Sequence, residues 1–207
     1  KASLEVKNNE IVDFMLTIKN NSRDTQRVYS QIKTTLNLLT KSDFNKSVPP
    51  GDSIFIPVKL LIPNNAIAGA NYNLSVQLKT ADDRLYDRDS CILTVKKNRS
   101  VHLFVPGNDI LLQKDSGYFS IPIRLENAGN TEESVSVIAK FPASFNNYLQ
   151  PIAKATLAPF SDTTIYFTTK ANKAMYRQRD FQLNISGFYK DGNVFDLSAI
   201  TIQTATS

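Results

Sequence analysis

The chain has 207 residues, of which 42% are hydrophobic and 21% charged, and its formal net charge is +5. This composition is ordinary for a folded protein and excludes a wholly disordered chain. The excess of Lys and Arg lies in the first half, where only Lys96, Lys97 and Arg99 cluster, and no apolar run reaches membrane-spanning length. We therefore expect neither nucleic-acid binding nor direct membrane insertion.

The sequence contains an internal repeat. The alternating apolar run at residues 12–20, which ends in Asn20, recurs at residues 119–127, which end in Asn127. A second block at residues 50–87 recurs at residues 159–196. The spacing between the two blocks differs slightly between the repeats, and a surface loop tolerates such a change in length. The repeat predicts two domains of the same fold, at residues 1–98 and 99–207.

Apolar and polar residues alternate with a period of two in both repeats, which predicts β-strands. The predicted strands lie at residues 2–6, 12–18, 28–32, 54–60, 72–78, 91–95, 101–105, 110–112, 119–127, 135–141, 164–168, 181–185 and 199–203. No segment has the pattern of a long amphipathic helix. Short strands separated by regularly spaced turns are typical of immunoglobulin-type sandwiches. We predict an all-β fold of two tandem immunoglobulin-like antiparallel β-sandwiches.

The two repeats begin differently. In the second, Pro106 and Gly107 separate two apolar runs, which predicts a first strand split by a kink so that its parts join different sheets. In the first, only residues 2–6 precede the strand at Val12. Either the first half-strand of that repeat is missing from this chain, or a preceding domain supplies it. Because the chain opens on Lys1 rather than Met, we expect a processed or excised part of a longer protein.

Two strand details also carry predictions. Pro122 interrupts an otherwise alternating strand, and since proline lacks an amide donor it should lie at a sheet edge or in a bulge. Residues 190–193 combine Asp, Gly and Asn between two alternating runs, which predicts a hairpin turn.

Residues suited to catalysis are sparse. The chain has one cysteine, Cys91, and one histidine, His102, which excludes most zinc sites and most Ser- or Cys-based triads. The repeat places Cys91 on a closing strand, where we expect it to face the core as a small hydrophobe. No glycine-rich phosphate-binding loop is present. We expect no enzymatic activity and no cofactor.

The densest acidic group comprises Asp82, Asp83, Asp87 and Asp89. Oxygen ligands on a turn are what Ca²⁺ prefers. However, Arg residues interleave with the carboxylates and no Asp-x-Asp-x-Asp-Gly loop is present. We favour an ordinary turn over a metal site.

Two segments are candidates for ligand binding. Residues 141–150 carry Phe145 and Tyr148 between amide side chains, a composition suited to stacking on sugars or anchoring a protein partner. The alternative, which we favour, is that both aromatics pack beneath a connection between sheets. Lys96, Lys97 and Arg99 cluster at the join of the repeats, where a solvated linker is favoured over an anion-binding surface.

The repeat resembles a known class of domains. The alternating strand ending in Asn20, the turn at residues 49–53 and the Gly-x-Tyr-x-Leu-like stretch at residues 68–74 resemble bacterial immunoglobulin-like domains of NEW3 and CARDB type. The second repeat keeps residues 125–130 and 158–161 of this pattern but loses the glycine at residues 177–179. The resemblance implies spacers, adhesive modules or enzyme accessories in large bacterial surface or secreted proteins, including usher-like ones.

Two functional hypotheses follow. The first is a non-catalytic structural or protein-interaction segment of a larger bacterial extracytoplasmic protein, in the periplasm, at the cell surface or secreted. Its partners would be another protein or flanking domains of the same chain, recognised through strand addition at a sheet edge. The alternative is a carbohydrate-binding accessory module of a secreted glycan-processing enzyme, with a glycan bound at Phe145 and Tyr148.

Overall fold

The structure, a computed structural model, describes residues 2–82, 84–107, 109–113, 117–145, 152–171 and 173–204. The chain divides into two compact units, residues 1–97 and 98–207. The sequence placed this division one residue later. Within the described ranges, no helix has the length and apolar character needed to cross a membrane.

The first unit consists of two facing β-sheets. Its larger sheet has the strand order β1-β8-β7-β3-β5 and its smaller sheet the order β2-β6-β4. Strand β1 runs parallel to β8, and the other pairings are antiparallel. The strands are β1 (Ala2–Val6), β2 (Ile11–Lys19), β3 (Gln26–Thr34), β4 (Asn37–Leu38), β5 (Asp43–Val48), β6 (Ser53–Leu61), β7 (Asn71–Lys79) and β8 (Leu85–Val95).

The second unit repeats this plan, except that it has no described counterpart of β4 and has an additional strand, β9, beside β11. Its sheets have the orders β10-β16-β15-β12-β13 and β14-β11-β9, and β10 runs parallel to β16. The strands are β9 (Val101–Phe104), β10 (Ile110–Leu112), β11 (Tyr118–Asn127), β12 (Glu133–Lys140), β13 (Ile152–Leu157), β14 (Ser161–Lys170), β15 (Asp180–Tyr189) and β16 (Val194–Thr204). A 3₁₀ turn (Ala143–Phe145) and a one-turn helix, α1 (Lys173–Tyr176), lie in connections.

The alternation of the sequence accounts for the sandwich. In β11, Phe119, Ile121, Ile123 and Leu125 are buried while the residues between them face outward. A strand with one apolar face must cover that face with a second sheet. The all-β immunoglobulin-like prediction is confirmed, as is the split first strand, since β9 joins the β11 sheet and β10 the β16 sheet.

The structure also shows the outcome of the predictions for the hairpin at residues 190–193 and for Pro122. The hairpin at residues 190–193 is confirmed by the Tyr189 amide, which donates to the Asn193 carbonyl at 2.9 Å, and by a positive φ at Gly192. Pro122 lies in the central strand of its sheet, but pairing with β9 begins only at Arg124. At Pro122, β11 therefore has a neighbouring strand on the β14 side only, so the missing amide is tolerated.

The sequence missed three strands and shortened several others. Strand β4 has only two residues, and β5 and β13 are edge strands with exposed polar positions, so none of the three was predicted. Strands β8 and β16 begin several residues before their predicted starts, in polar segments that pair with β7 and β15. These segments form strands because their backbones pair with a neighbouring strand, and the alternation of side chains does not predict such pairing.

Buried asparagines explain the residue that ends each repeated run. The Asn20 amide nitrogen donates to the carbonyls of Asp24 and Val48 at 2.8 and 2.9 Å. The Asn127 amide makes the same kind of bonds to Thr131 and Ala158. Each amide therefore ties the turn after its strand to the neighbouring chain, which is why this position repeats.

Candidate functional site

The two units differ most clearly at one edge of the smaller sheet. By the repeat, β2 corresponds to β11 and β6 to β14. Strand β11 is central in its sheet, because β9 pairs with it on the side away from β14. Strand β2 lies at the edge of its sheet, and no described strand of the first unit takes the place of β9. The first unit thus presents an uncovered strand edge.

Strand β9 shows what covers this edge in the second unit. Val101 and Leu103 stand opposite Asn127 and Leu125 and are 3% and 6% exposed. The Leu103 amide donates to Oδ2 of Asp196 at 2.9 Å. Both apolar side chains belong to one continuous core. In the first unit the buried core residues divide into two clusters, one of them formed by Ile18, Val28, Val48 and Ile56.

The uncovered edge borders an open cavity of about 430 Å³, which we call the β2 groove. Its floor includes the buried residues Ile18, Val28 and Val48. The residues lining it are Thr17, Ile18, Lys19, Asn20, Asn21, Ser22, Gln26, Val28, Val48, Leu78, Tyr86 and Asp87. Several of these correspond by the repeat to residues that β9 contacts in the second unit: Thr17 to Arg124, Ile18 to Leu125, Lys19 to Glu126, Asn20 to Asn127 and Asp87 to Asp196.

The backbone of β2 offers hydrogen-bonding groups to the groove. Asn20 donates its amide to the Asp52 carbonyl and accepts the Gly51 amide, both at 2.9 Å, so its backbone groups point toward β6. Successive residues of a strand point their amides to opposite edges. The amide and carbonyl of Lys19, and likewise those of Thr17, therefore point into the uncovered side.

Asp87 reproduces the carboxylate that receives β9. Its Oδ1 accepts the Arg88 amide at 2.7 Å, as Oδ1 of Asp196 accepts the Leu197 amide at 2.8 Å. In Asp196 this arrangement leaves Oδ2 to accept the amide of Leu103. Asp196 is half-buried whereas Asp87 is exposed, as expected where a covering strand is present in one unit only.

The correspondence ends at the mouth of the groove. Gly129 lies against the chain that leads into β9, and a Cβ there would come within 2.5 Å of the Asn98 carbonyl oxygen. The first unit has Ser22 at this position. In the second unit, therefore, the close approach of residues 98–100 depends on a glycine at this position.

Arg99 corrects one prediction from the sequence. The expected solvated linker is wrong for this residue: its Nε and Nη2 bind Oε1 and Oε2 of Glu133, each at 2.9 Å, and its Nη1 binds Oδ2 of Asp191 at 2.6 Å. The guanidinium also stacks on the Tyr189 ring, 3.9 Å from its centroid. Glu133 is buried, so Arg99 anchors the start of the second unit.

The electrostatics of this cluster follow from its geometry. Hydrogen bonds to Glu133 and then to Asp191 raise the pKa of the Arg99 guanidinium, which keeps it charged. The Arg99 hydrogen bond lowers the pKa of the Asp191 carboxyl. Arg99 contacts Glu133, Asp191 and Tyr189 at once, so the cluster supports the fold of the second unit.

The predicted aromatic site is only partly described. Phe145 is 5% exposed and packs edge-to-face against Phe181, with ring centroids 5.0 Å apart, and against Phe141. It is a core residue, which agrees with the packing alternative, and its ring offers no face for a sugar to stack on. Tyr148 lies outside the described residues, so its part in ligand binding stays a prediction.

The described residues of the acidic cluster make contacts within or next to their own turn. Asp82 binds Nε of Arg84 at 2.8 Å and accepts the Thr80 hydroxyl, and Asp89 accepts the Ser90 amide. Asp83 lies outside the described residues. Among the described residues there is no group of three or more Asp, Glu, His or Cys side chains that could hold a metal ion.

Cys91 packs as predicted. It is half-buried and contacts the larger core cluster of the first unit.

The groove itself was missed by sequence reasoning. A partial signal was available: the first repeat keeps the strand and the aspartate that residues 101–105 contact in the second. What the sequence could not supply was the sheet order, in which β11 is central and β2 lies at an edge.

Comparison with known proteins gives distant similarities only. No protein-family model matches the chain, and neither does any curated protein. Among solved structures, it is similar to calcium binding domain CBD12 of CALX1.1 (8% identity, 98% of this chain and 97% of that one, TM-score 0.35). It is also similar to the sialic acid binding region of a Streptococcus sanguinis adhesin (10% identity, 99% and 76%, TM-score 0.33).

A red sea bream transglutaminase is similar at 8% identity and a TM-score of 0.36, over 97% of this chain. The chain spans about 30% of the length of that enzyme. At these values the similarities add nothing about function to what the geometry of the chain itself provides.

Proposed function

We propose that this chain is a non-catalytic protein-interaction segment, built of tandem immunoglobulin-like modules, within a larger bacterial extracytoplasmic or cell-surface protein. The observation that supports it best is the uncovered edge of β2, whose counterpart in the same chain is covered by β9. An exposed edge with free backbone groups is a template for adding a strand from a partner.

The surroundings of this edge favour a protein partner over a glycan. Its floor includes the buried apolar side chains of Ile18, Val28 and Val48, and backbone amides and carbonyls of β2 point to its open side. Phe145, one of the two residues predicted to stack on a sugar, is buried, which removes part of the support for the glycan alternative. The resemblance of both repeats to NEW3 and CARDB domains supports the bacterial and extracytoplasmic parts of the proposal.

Site-specific photocrosslinking in the natural full-length protein, expressed in its own cells, tests this proposal. A photoreactive amino acid replaces Lys19 at the β2 edge, and a control carries it at Glu126, where β9 covers the equivalent edge. We expect a discrete crosslink from position 19 to a different protein and none from position 126. Retention of the full-length protein in the cytoplasm, or no protein crosslinked at position 19, would contradict the proposal.

A further inference from the structure

We propose that the outward face of the larger sheet in the second unit binds an acidic sugar, a ring that carries a carboxylate. The site is an open cavity of about 620 Å³ over β12, β13 and β15, a volume usual for sites that hold small molecules. It goes beyond the proposed function and does not involve the β2 edge. We call it the β12 trough, and the lining residues that define it are Ser134, Ser136, Lys154, Thr156, Phe188 and Lys190.

The sheet register places short side chains in the middle of the trough and long ones around them. In one row, Ser136 pairs with Lys154 on β13 and with Phe188 on β15. In the next row, the Ser134 carbonyl accepts the amide of Lys190 at 3.0 Å. The residues of β12 that follow each serine are buried in the core, so both serines face outward. The two lysines therefore stand at diagonally opposite corners.

The first unit fills the corresponding place with its own side chains. By the repeat, Ser136 corresponds to Tyr29. Ser134 corresponds to Arg27 in the same way. The Arg27 guanidinium lies 5.8 Å from the centroid of the Tyr29 ring, and its Nε donates to Oδ1 of Asn45 at 3.1 Å. The second unit thus leaves room for a ring where the first unit places one of its own.

The charges around the trough favour an anion. Among the described residues that line it, only Lys154 and Lys190 are charged, and neither forms an ion pair with another described residue. Two carboxylates near the same hairpin, those of Glu133 and Asp191, are bound by Arg99. Because a lysine ammonium is carried on a flexible four-carbon stem, both lysines can reach one carboxylate above the serines.

The backbone around the trough disfavours a polypeptide. Strand β12 pairs with β13 on one side and with β15 on the other, so its amides and carbonyls are already used within the sheet. Added strands pair with the edge of a sheet and find no backbone partners on its face. The occupant of the trough must therefore be recognised by side chains alone.

A sugar meets this condition. Its hydroxyls can exchange hydrogen bonds with the hydroxyls of Ser134 and Ser136, and its carboxylate can accept from the lysine ammoniums. The less polar face of its ring can pack on the half-buried ring of Phe188. One acidic sugar ring thus uses the hydroxyls, the charges and the apolar surface that the trough presents.

The test uses the 207-residue chain and tri-galacturonate, in which each sugar ring carries a carboxylate. Its fully methyl-esterified form is the matched neutral ligand. Isothermal titration calorimetry measures binding, and amide chemical shifts locate the site. We expect saturable 1:1 binding that shifts the amides of Ser134 and Ser136. The ester should bind about tenfold more weakly or not at all, because it cannot make charge-assisted hydrogen bonds.

A matched set of lysine variants tests the role of charge. Lys154→Ala and Lys190→Ala should each weaken binding of tri-galacturonate about tenfold. Lys140→Ala removes the same charge from β12, beyond the residues that define the trough, and should leave binding within about twofold. An equal loss in all three variants would show attraction to surface charge in general and would contradict the inference.

A pair of variants at Ser136 tests the role of space. Ser136→Tyr introduces the residue that the first unit holds at this place, and it should fill the trough and remove saturable binding. Ser136→Ala keeps the space and should weaken binding at most about fivefold, as expected for one neutral hydrogen bond. Both variants should retain wild-type circular dichroism, since the first unit accommodates tyrosine at the equivalent position of its own sheet.

Four further results would overturn the inference. These are no saturable binding at millimolar tri-galacturonate, equal binding of the methyl ester, unchanged binding to Ser136→Tyr, and equally tight binding of hexaglutamate. The last result would show that the trough recognises acidic polypeptides and not acidic sugars. The crosslink at position 19 is measured at a different site, so the proposed function stands or falls independently of all these outcomes.

Discussion

The backbone amide of Leu103 donates a hydrogen bond to Oδ2 of Asp196 at 2.9 Å. The two residues are far apart in sequence, and the bond fixes the short strand β9 to the strand that closes the second unit. Asp87 holds the same position in the first unit, where no described strand meets it. This pair of aspartates therefore distinguishes a covered edge from an uncovered one, and substitution of each measures the difference.

Asp196→Ala should destabilise the second unit by about 1–2 kcal/mol, because it leaves the buried Leu103 amide without its acceptor. Asp87→Ala is the matched control, since its Oδ1 bond to the following amide has the same counterpart in Asp196. It should change the stability of the isolated chain by less than about 0.5 kcal/mol. Urea denaturation followed by circular dichroism measures both. Equal losses would contradict the assignment of an uncovered edge.

Gly129→Ala should destabilise the second unit by about 1–3 kcal/mol, because the new methyl would overlap backbone atoms of Asn98 and Ser100. Ser22→Gly, at the corresponding position of the first unit, should not relieve any comparable overlap and should be nearly neutral or slightly destabilising. Thermal unfolding of both variants provides the measurement. A neutral Gly129→Ala would show that segment 98–100 does not pack on this turn.

Ser30→Ala should stabilise the first unit by about 1 kcal/mol. The Ser30 hydroxyl is buried, and within the described structure it has no hydrogen-bond partner, so its removal eliminates a desolvation cost. The corresponding residue of the second unit is Val137, which is fully buried in the core. The reverse change, Val137→Ser, should cost at least about 2 kcal/mol. Denaturant midpoints of the two variants should move in opposite directions.

Arg99→Ala should destabilise the second unit by about 2–4 kcal/mol, because it leaves the buried Glu133 carboxylate without its bidentate partner. Gln26 occupies the position of Glu133 in the first unit. Adding Glu133→Gln to Arg99→Ala should therefore recover part of the loss. A double-mutant cycle measures the coupling, and purely additive effects would contradict the described ion pair.

The Asp191 contact with Arg99 should make the second unit sensitive to acid. Because the pKa of Asp191 is lowered in the folded state, its contribution is fully present above the ordinary aspartate pKa of about 4. It is lost as the pH falls through the lowered value. Asp191→Asn should therefore reduce stability more at pH 7 than in acid, in matched urea titrations. A stability difference that does not shrink as the pH falls below the ordinary aspartate pKa would argue against this ionisation.

The pattern of residues within short segments was enough to predict the two sandwiches. The alternation at residues 119–127 and the turn residues at 190–193 each act within a few residues, so the sandwich and its hairpin were predictable from the sequence. Repetition added the equivalence of Asn20 and Asn127, although only the structure shows that both amides tie a turn to the neighbouring chain.

Tertiary contacts decided the features that bear on function. Arg99 meets Asp191 across 92 residues, and Phe145 is buried against a phenylalanine on another strand. Neither partner is visible in a local pattern. The sequence by itself determined two sandwiches. The structure decided that β2 lies at the edge of its sheet whereas β11 is central in its own, because strand order depends on hydrogen bonds between strands distant in the chain.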